Sequence, residues 1–306
     1  NSDGWPDVYI GNDFHEDDYL YINNGNGTFT EGLASAMPHT SRFSMGNDLG
    51  DINNDGLLDI LSLDMHPDEP VRLKSSAGED SYDVYSMKLG FGYKDQFARN
   101  TLQLNRGNGK FSDIGVMAGI YATDWSWGSL FADLDLDGKT DIYISNGIKR
   151  RSNDNDYISY ISNDVIQGRL EGDIGDEDLR LVEKMPVIKI PNYAYRNVDG
   201  YRFTDVSAEW GLNQASFSNG SAYGDLDGDG DLDLVVNNVD QKAFIYRNNT
   251  ISPGKESESS YLKLTFRGDS LNTFGIGTRV LIPTDTGCLI RELYSTRGYL
   301  SSVNPE

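Results

Sequence analysis

An all-β chain built of repeated strand units is what this sequence predicts. Three observations support it: a composition rich in glycine and tyrosine, an internal repeat that aligns without gaps, and an acidic loop of the form D-x-[DN]-x-D-G-x-x-D in each copy. With 306 residues, 38% of them apolar, the chain can bury a sizeable core. Its 33 glycines and 18 tyrosines, set among Asn-Gly and Asp-Gly pairs, suit short strands joined by tight turns better than long helices.

The repeat comes first because it frames everything else. Each of three copies opens on a strand ending in a turn, with asparagine followed six residues later by phenylalanine: Asn23 to Phe29, Asn105 to Phe111 and Asn197 to Phe203. A Ser-x-Gly follows in each (Ser44-Met45-Gly46, Ser126-Trp127-Gly128, Ser218-Asn219-Gly220), and the first loop aspartate stands five residues after that glycine. The turn asparagine precedes the loop aspartate by 28 residues every time, Asn23 to Asp51, Asn105 to Asp133 and Asn197 to Asp225. Independent loops would not hold that register. Behind each loop runs a β-branched or aromatic stretch that reads as a buried strand: Asp59-Ile60-Leu61-Ser62-Leu63, Asp141-Ile142-Tyr143-Ile144 and Asp233-Leu234-Val235-Val236. The opening residues Asn1-Ser2-Asp3-Gly4-Trp5-Pro6-Asp7 match the loop from its third position onward, so the chain is expected to begin inside a fourth copy.

Length varies in one connection only, between the strand after the loop and the next turn strand. Two insertions are expected there, at about residues 66–100 and 149–190, projecting from one face of a radial repeat. The second carries spaced apolar residues, Asp164-Val165-Ile166 through Leu179-Arg180-Leu181-Val182, compatible with short helices. The repeats are assigned to 1–250. A Ser-, Gly-, Lys- and Glu-rich linker is expected at 251–260. Strands at Tyr261–Phe266 and Thr278–Ile282 then mark the start of a small β domain spanning 261–306.

The acidic loop carries the chemistry. Oxygen ligands at alternate positions, with glycine sixth for a sharp turn, suit a hard cation of calcium's size. The candidate ligands are Asp51, Asn53, Asp55 and Asp59; Asp133, Asp135, Asp137 and Asp141; Asp225, Asp227, Asp229 and Asp233; and, in the opening copy, Asn1, Asp3 and Asp7. The seventh residue of each (Trp5, Leu57, Lys139, Asp231) would offer its backbone carbonyl. One Ca2+ per loop, up to four, is the expectation. An EF-hand would also need a bidentate glutamate at position twelve. Ser62, Ile144 and Val236 stand there, inside strands, and the ninth-position aspartate takes the glutamate's place.

Charge and motif content exclude several function classes. A formal charge of -22 repels phosphate backbones and anionic lipid, so nucleic acid is not an expected partner. Lys149-Arg150-Arg151 reads as a solvated loop. Cys288 is the single cysteine, so no disulfide can form within the chain. No apolar run approaches the roughly 18–20 residues needed to span a bilayer. The histidines, His15, His39 and His66, sit in loop contexts without a recurring acidic or nucleophilic partner, and no catalytic signature is present. Trp125 and Trp127 are expected to pack between repeats, with a sugar platform as the alternative.

The pattern resembles the FG-GAP/VCBS repeat of integrin-α-like propellers. The tail, Asn272-Thr273-Phe274-Gly275-Ile276-Gly277-Thr278-Arg279-Val280 with Arg291-Glu292-Leu293 and Gly298-Tyr299-Leu300-Ser301-Ser302, looks like the ASPIC/UnbV domain that follows such repeats in cartilage-acidic-protein-like proteins. Thr123-Asp124-Trp125-Ser126-Trp127-Gly128 is similar to segments of large surface-associated bacterial members. The resemblance implies a β-propeller, seven-bladed or similar, of which this chain is part. It also implies placement outside the cytoplasm and calcium held in inter-strand loops. A calcium-stabilised binding or adhesion module for an extracellular protein or glycan is the expected function. The alternative is a polysaccharide-acting enzyme on a propeller scaffold, for which His66 is the residue to test.

Overall fold

Each of the three complete acidic loops reverses the chain between two strands that then pair, and the strands so joined are the first two of a small antiparallel sheet. The computed structural model describes residues 1–306 except 2, 79, 164, 165, 167–175, 253–259, 285, 286 and 306. The first sheet contains β1 (Val8–Ile10), β2 (Tyr19–Asn23) and β3 (Phe29–Glu31). After β4 (His39–Ser41), the second sheet takes β5 (Asn47–Gly50) and β6 (Asp59–Ser62). The first insertion then ends in β7 (Asp95–Phe97), which pairs in parallel with β4, and the second sheet is completed by β8 (Thr101–Asn105) and β9 (Phe111–Asp113). The third sheet runs β10 (Ser126–Ala132), β11 (Asp141–Asn146), β12 (Tyr193–Asn197) and β13 (Phe203–Asp205). The fourth has β14 (Ser218–Gly224), β15 (Asp233–Asn238) and β16 (Phe244–Tyr246). Strand order in each sheet follows chain order, so the chain is an all-β, propeller-like row of meandering sheets.

The buried residues lie between sheets, as such a row requires. Leu61, Leu102 and Leu104 of the second sheet pack with Ile142, Ile144 and Tyr195 of the third. Leu130, Tyr143 and Ala194 of the third pack with Leu234 and Val236 of the fourth. Each such side chain contributes about 1.5–3 kcal/mol through burial. The sequence repeat, counted from turn asparagine to loop, straddles two of these sheets: Asn105 belongs with Asp59 of the loop before it rather than with Asp133.

The Ser-x-Gly motif acquires its reason here. Strands β5, β10 and β14 lie side by side, and a Cβ on Gly46 would overlap the carbonyl oxygen of Trp127. A Cβ on Gly128 would sit 3.1 Å from the Asn219 carbonyl, and one on Gly220 would sit 3.1 Å from that of Tyr299. Glycine is what lets adjacent sheets approach so closely. Gly46→Ala is therefore expected to destabilise the fold by about 1–3 kcal/mol, measured by urea unfolding; a variant as stable as the parent would show that the sheets separate freely.

Both insertions carry helices. In the first, α1 (Pro70–Ser75) starts on Glu69, whose carboxylate accepts from Val71 N and Arg72 N, and α2 (Tyr82–Gly90) starts on Ser81. In the second, α3 (Asn155–Ile161) is capped by Asp154, and α4 (Asp176–Glu183) covers the expected helix about Leu179–Val182. The expectation for Asp164 and Val165, and for most of the linker, lies outside the described residues.

Two expectations fail. Tyr261–Phe266 forms no strand, because its alternating residues meet no partner ladder; Tyr261 and Leu262 are largely exposed. Arg151 is not solvated but buried, drawn in by Asp124. The expected strand at Thr278–Ile282 appears as β17 (Arg279–Thr284), paired with β18 (Gly287–Glu292).

Candidate functional site

The three complete loops fold alike because one carboxylate organises each turn. Asp51 accepts from Asp55 N at 3.1 Å and Gly56 N at 2.9 Å, and Asp133 accepts from Asp137 N at 3.1 Å and Gly138 N at 2.9 Å. In the third, Asp225 accepts from Gly228 N at 2.8 Å. The sixth-position glycines Gly56, Gly138 and Gly230 have φ of 91°, 86° and 101°, which only glycine adopts without strain. In the opening copy Asp3 accepts from Trp5 N at 2.8 Å.

The ninth-position aspartate has a second task. Asp59 accepts from Ile52 N at 3.1 Å and from Asn105 N at 2.8 Å; Asp141 accepts from Leu134 N at 3.0 Å and Asn197 N at 2.9 Å. Asp233 does the same with Leu226 N and Asn248 N, at 2.9 and 2.8 Å, and Asp7 accepts from Asn23 N at 2.9 Å. The asparagine amide answers by donating to the carbonyl just before that aspartate: Pro6, Leu58, Thr140 and Leu232 in turn. Asn197 and Asn248 also reach Ile52 O and Leu134 O of the preceding loop, at 2.8 and 2.7 Å. Loop, turn and neighbouring sheet are thus tied together. Asn248 escaped the sequence reading because the phenylalanine six residues after the other turn asparagines is glycine here.

Burial, aggravated by neighbouring carboxylates, makes these loops electrostatically unfavourable on their own. It pushes the Asp59 carboxyl up to about 7, with Asp55 and Asp51 adding to the effect, and Asp141 up to about 7, with Asp135 and Asp133 adding. Asp133 rises to about 6, and Asp51 is raised as well. Among the described residues, two groups of carboxylates come close enough to hold a metal ion: Asp133, Asp135 and Asp141, and Asp225, Asp227 and Asp229. In the first, Asp135 Oδ1 is buried without a hydrogen-bond donor, the state of an oxygen that a cation would satisfy. The donor sets fit a hard divalent cation. The Asp51 loop, with Asn53 in third position, forms no such group; Asn53 donates its amide to Asp55 at 3.0 Å. Basic side chains also visit the loops: Arg196 pairs with Asp135 at 2.9 Å, Lys139 with Asp137 at 2.9 Å and Arg247 with Asp227 at 2.7 Å.

The tail closes over the loops. Arg279 donates to Gly56 O at 2.6 Å, and Arg297 donates to both oxygens of buried Asp48 at 3.0 Å. A cavity of about 610 Å3 is lined by Asp51, Asp133 and Asp225 together with Arg291 and Arg297 of the tail. Tyr299 packs its ring on Trp127, whose indole N–H donates to Gly147 O at 2.8 Å, while Trp125 is buried. Both tryptophans serve packing.

The two insertions meet. Ala77 N donates to Asn153 O at 2.7 Å, and Ser76 bridges to Asp154. Beneath this contact Asp124 is fully buried and takes Arg72 of the first insertion at 2.8 Å and Arg151 of the second at 2.6 Å. Its φ of 61° is a strained value for any residue but glycine or asparagine-like ones. His66 donates its Nδ1–H to Ala98 O, 2.9 Å away, and its ring lies tilted against Tyr121. His39, expected to lack an acidic partner, pairs with Asp113 at 2.9 Å and packs on Phe97, a contact made between residues 74 positions apart.

A row of antiparallel sheets with acidic loops at the turns between their strands, two of these loops bringing together carboxylates that could hold a metal ion, defines a propeller-type repeat protein. Residues 1–62 and 83–144 match the FG-GAP-like repeat family, and residues 268–306 match the ASPIC and UnbV family. The chain therefore carries FG-GAP-like repeats, the integrin-like propeller module, followed by an ASPIC/UnbV segment. The copy around Asp225 lies outside the matched residues, yet its hydrogen bonds repeat those of the copies inside. A search of curated proteins finds no match. No helix among the described residues is long and apolar enough to cross a membrane.

Proposed function

We propose that the chain is a calcium-stabilised binding module that works outside the cytoplasm, presenting its joined insertions to an extracellular protein or glycan rather than catalysing a reaction. The observation that carries this reading is the donor-free, buried Asp135 oxygen within the Asp133, Asp135 and Asp141 group. In it, Asp133, Asp135, Asp137 and Asp141 with the Lys139 carbonyl hold one Ca2+, and Asp225, Asp227, Asp229 and Asp233 with the Asp231 carbonyl hold another. Asp51, Asn53, Asp55, Asp59 and the Leu57 carbonyl form a third site, and Asn1, Asp3, Asp7 and the Trp5 carbonyl an incomplete fourth. The ion supplies positive charge to crowded carboxylates; the chain's own residues fix the turn and tie it to the next strand.

Support for binding over catalysis comes from the histidines and the insertions. His39 and His66 are held by hydrogen bonds to Asp113 and to the Ala98 carbonyl, and the insertions are braced on a buried ion-pair cluster as a rigid display would need. Isothermal titration of the cation-free chain tests the metal reading. Saturable Ca2+ binding that weakens about tenfold or more in Asp135→Ala is expected; a chain that takes up no Ca2+, or a variant that binds as the parent does, would remove the proposal.

A further inference from the structure

The third position of the acidic loop is held in two different ways. Where it is asparagine, the loop itself holds it: Asn53 Oδ1 accepts from Asp55 N and Asn1 Oδ1 from Asp3 N, both at 3.1 Å. Where it is aspartate, an arginine does so. Arg196 donates its Nε–H to Asp135 Oδ2 at 2.9 Å, and Arg247 pairs through Nη2 with Asp227 Oδ2 at 2.7 Å. The backbone N–H two residues past Asp135, that of Asp137, donates to Asp133 instead.

Both arginines stand at the same place in their sheets. They immediately precede Asn197 and Asn248, the turn asparagines tied to Asp141 and Asp233 of the same loops. In the other two sheets that place belongs to Leu104 and Ile22, which stand opposite Ser112 and Thr30 as Arg196 stands opposite Thr204. Leu104 is buried, and Ile22 packs on the core of the first sheet. All four copies therefore obey one pairing: aspartate with arginine, asparagine with an aliphatic side chain. A third position follows it. Thirteen residues past the turn asparagine stand Ala36 and Ala118, both buried, but Trp210 in the third sheet. The Arg196 guanidinium lies 5.3 Å from the centroid of that indole, and its Nη2 donates to Glu209 at 2.9 Å. Arg196 is thus fixed from several sides.

A carboxylate gripped by one oxygen presents the other in a set direction. In Asp135, Oδ2 is on Arg196 while Oδ1 is buried without a donor, and the residue groups with Asp133 and Asp141. Asp227 belongs to the second such group, with Asp225 and Asp229. The Asp51 loop, which has no arginine at that place, forms no such group among the described residues.

We propose that Arg196 and Arg247 are positioning residues for the cation: each fixes its loop's third-position aspartate by Oδ2 so that Oδ1 meets the ion, and so sets how tightly that loop binds. The role rests on the calcium-stabilised module proposed above. Neither arginine touches the ion; each acts through its aspartate.

Calorimetric titration of the cation-free chain with Ca2+ is the test, and the binding event that Asp135→Ala weakens identifies the Asp133 loop. Arg196→Leu is expected to weaken the same event about tenfold or more, although it deletes a positive charge near the ion. In an Asp135→Asn background the same arginine change is expected to cost less than about twofold, because no carboxylate is left for it to orient. Arg247→Leu repeats the test on the Asp225 loop and keeps it decisive if Arg196→Leu fails to fold. Binding at parent strength or tighter in the arginine variants, as loss of a competing cation would give, overturns the proposal. So does an equal loss with and without the Asp135 carboxylate. A chain that takes up no Ca2+ overturns the calcium reading itself, whereas uptake that Asp135→Ala weakens and the arginine changes do not strikes this proposal alone.

Discussion

Replacing Asp124 with alanine is expected to cost about 3–5 kcal/mol of folding free energy and to let the two insertions part. Asp124 and Arg151 are both buried, at 0% and 2% exposure, so the variant leaves a guanidinium in the interior with no counter-charge. Arg151 has little to fall back on, because its Nη1 already lacks a hydrogen-bond partner. Arg72 would suffer less, since Asp68 holds it from the exposed side at 2.8 Å. Asp124→Asn separates the contributions: it keeps the shape and tolerates the left-handed backbone, so its loss measures the charge alone and should be the smaller of the two. Urea unfolding gives the energies, and limited proteolysis gives the location. Faster cleavage within 66–100 and 149–190 is the expected pattern; an Asp124→Ala protein within about 0.5 kcal/mol of the parent would mean the clamp is idle.

Removing divalent cations should destabilise the fold by a similar amount at neutral pH and reverse the way stability varies with pH. A loop whose ion is present at a hundredfold excess over its Kd gains about 2.7 kcal/mol, and the gain adds over independent loops. Without the ion, Asp133 titrates near 6 and Asp59 and Asp141 near 7, all above the ordinary 3.8. These three groups then bind more protons in the folded chain than in the unfolded one, so their contribution to stability is fully present below about pH 4 and is lost as pH rises through 7. With Ca2+ the slope reverses over the same window, because the ligating carboxylates must first lose their protons. Melting curves at pH 5 and pH 8, in dialysed and calcium-supplemented protein, check both signs. Parallel pH slopes in the two series would contradict the metal reading.

The acidic loops and the strands behind them were legible because their determinants are local. An aspartate that must catch the N–H groups four and five residues ahead, and a glycine that must adopt a positive φ, can stand only at fixed offsets. The phase of the repeat was not legible for a related reason: a periodic string carries no mark of where a unit starts. The bond between Asn105 and Asp59, 46 positions apart across the insertion, and the pairing of β6 with β8 assign the turn strand to the loop before it. Asp124 was quoted as part of a motif, but nothing local could reveal that Arg72 and Arg151 converge on it from 52 and 27 positions away. Asp48 and Arg297 stand 249 residues apart and were equally invisible. The segment about Tyr261 failed in the opposite direction, since alternation alone forms no strand without an edge to pair with.

The glycine at the start of each innermost strand has a further consequence at the tail. Gly46 faces the Trp127 carbonyl, Gly128 faces that of Asn219, and Gly220 faces that of Tyr299. Tyr299-Leu300-Ser301 therefore occupies, against the last sheet, the berth that a following sheet's innermost strand takes elsewhere; Ser301 Oγ lies 2.7 Å from a Cβ built on Gly220, much as Ser221 Oγ lies 3.2 Å from one on Gly128. A row of like units always ends in a face made to accept another unit. Here residues of the ASPIC/UnbV segment lie on that face, so a Cβ on Gly220 would crowd the tail as one on Gly128 would crowd the neighbouring sheet.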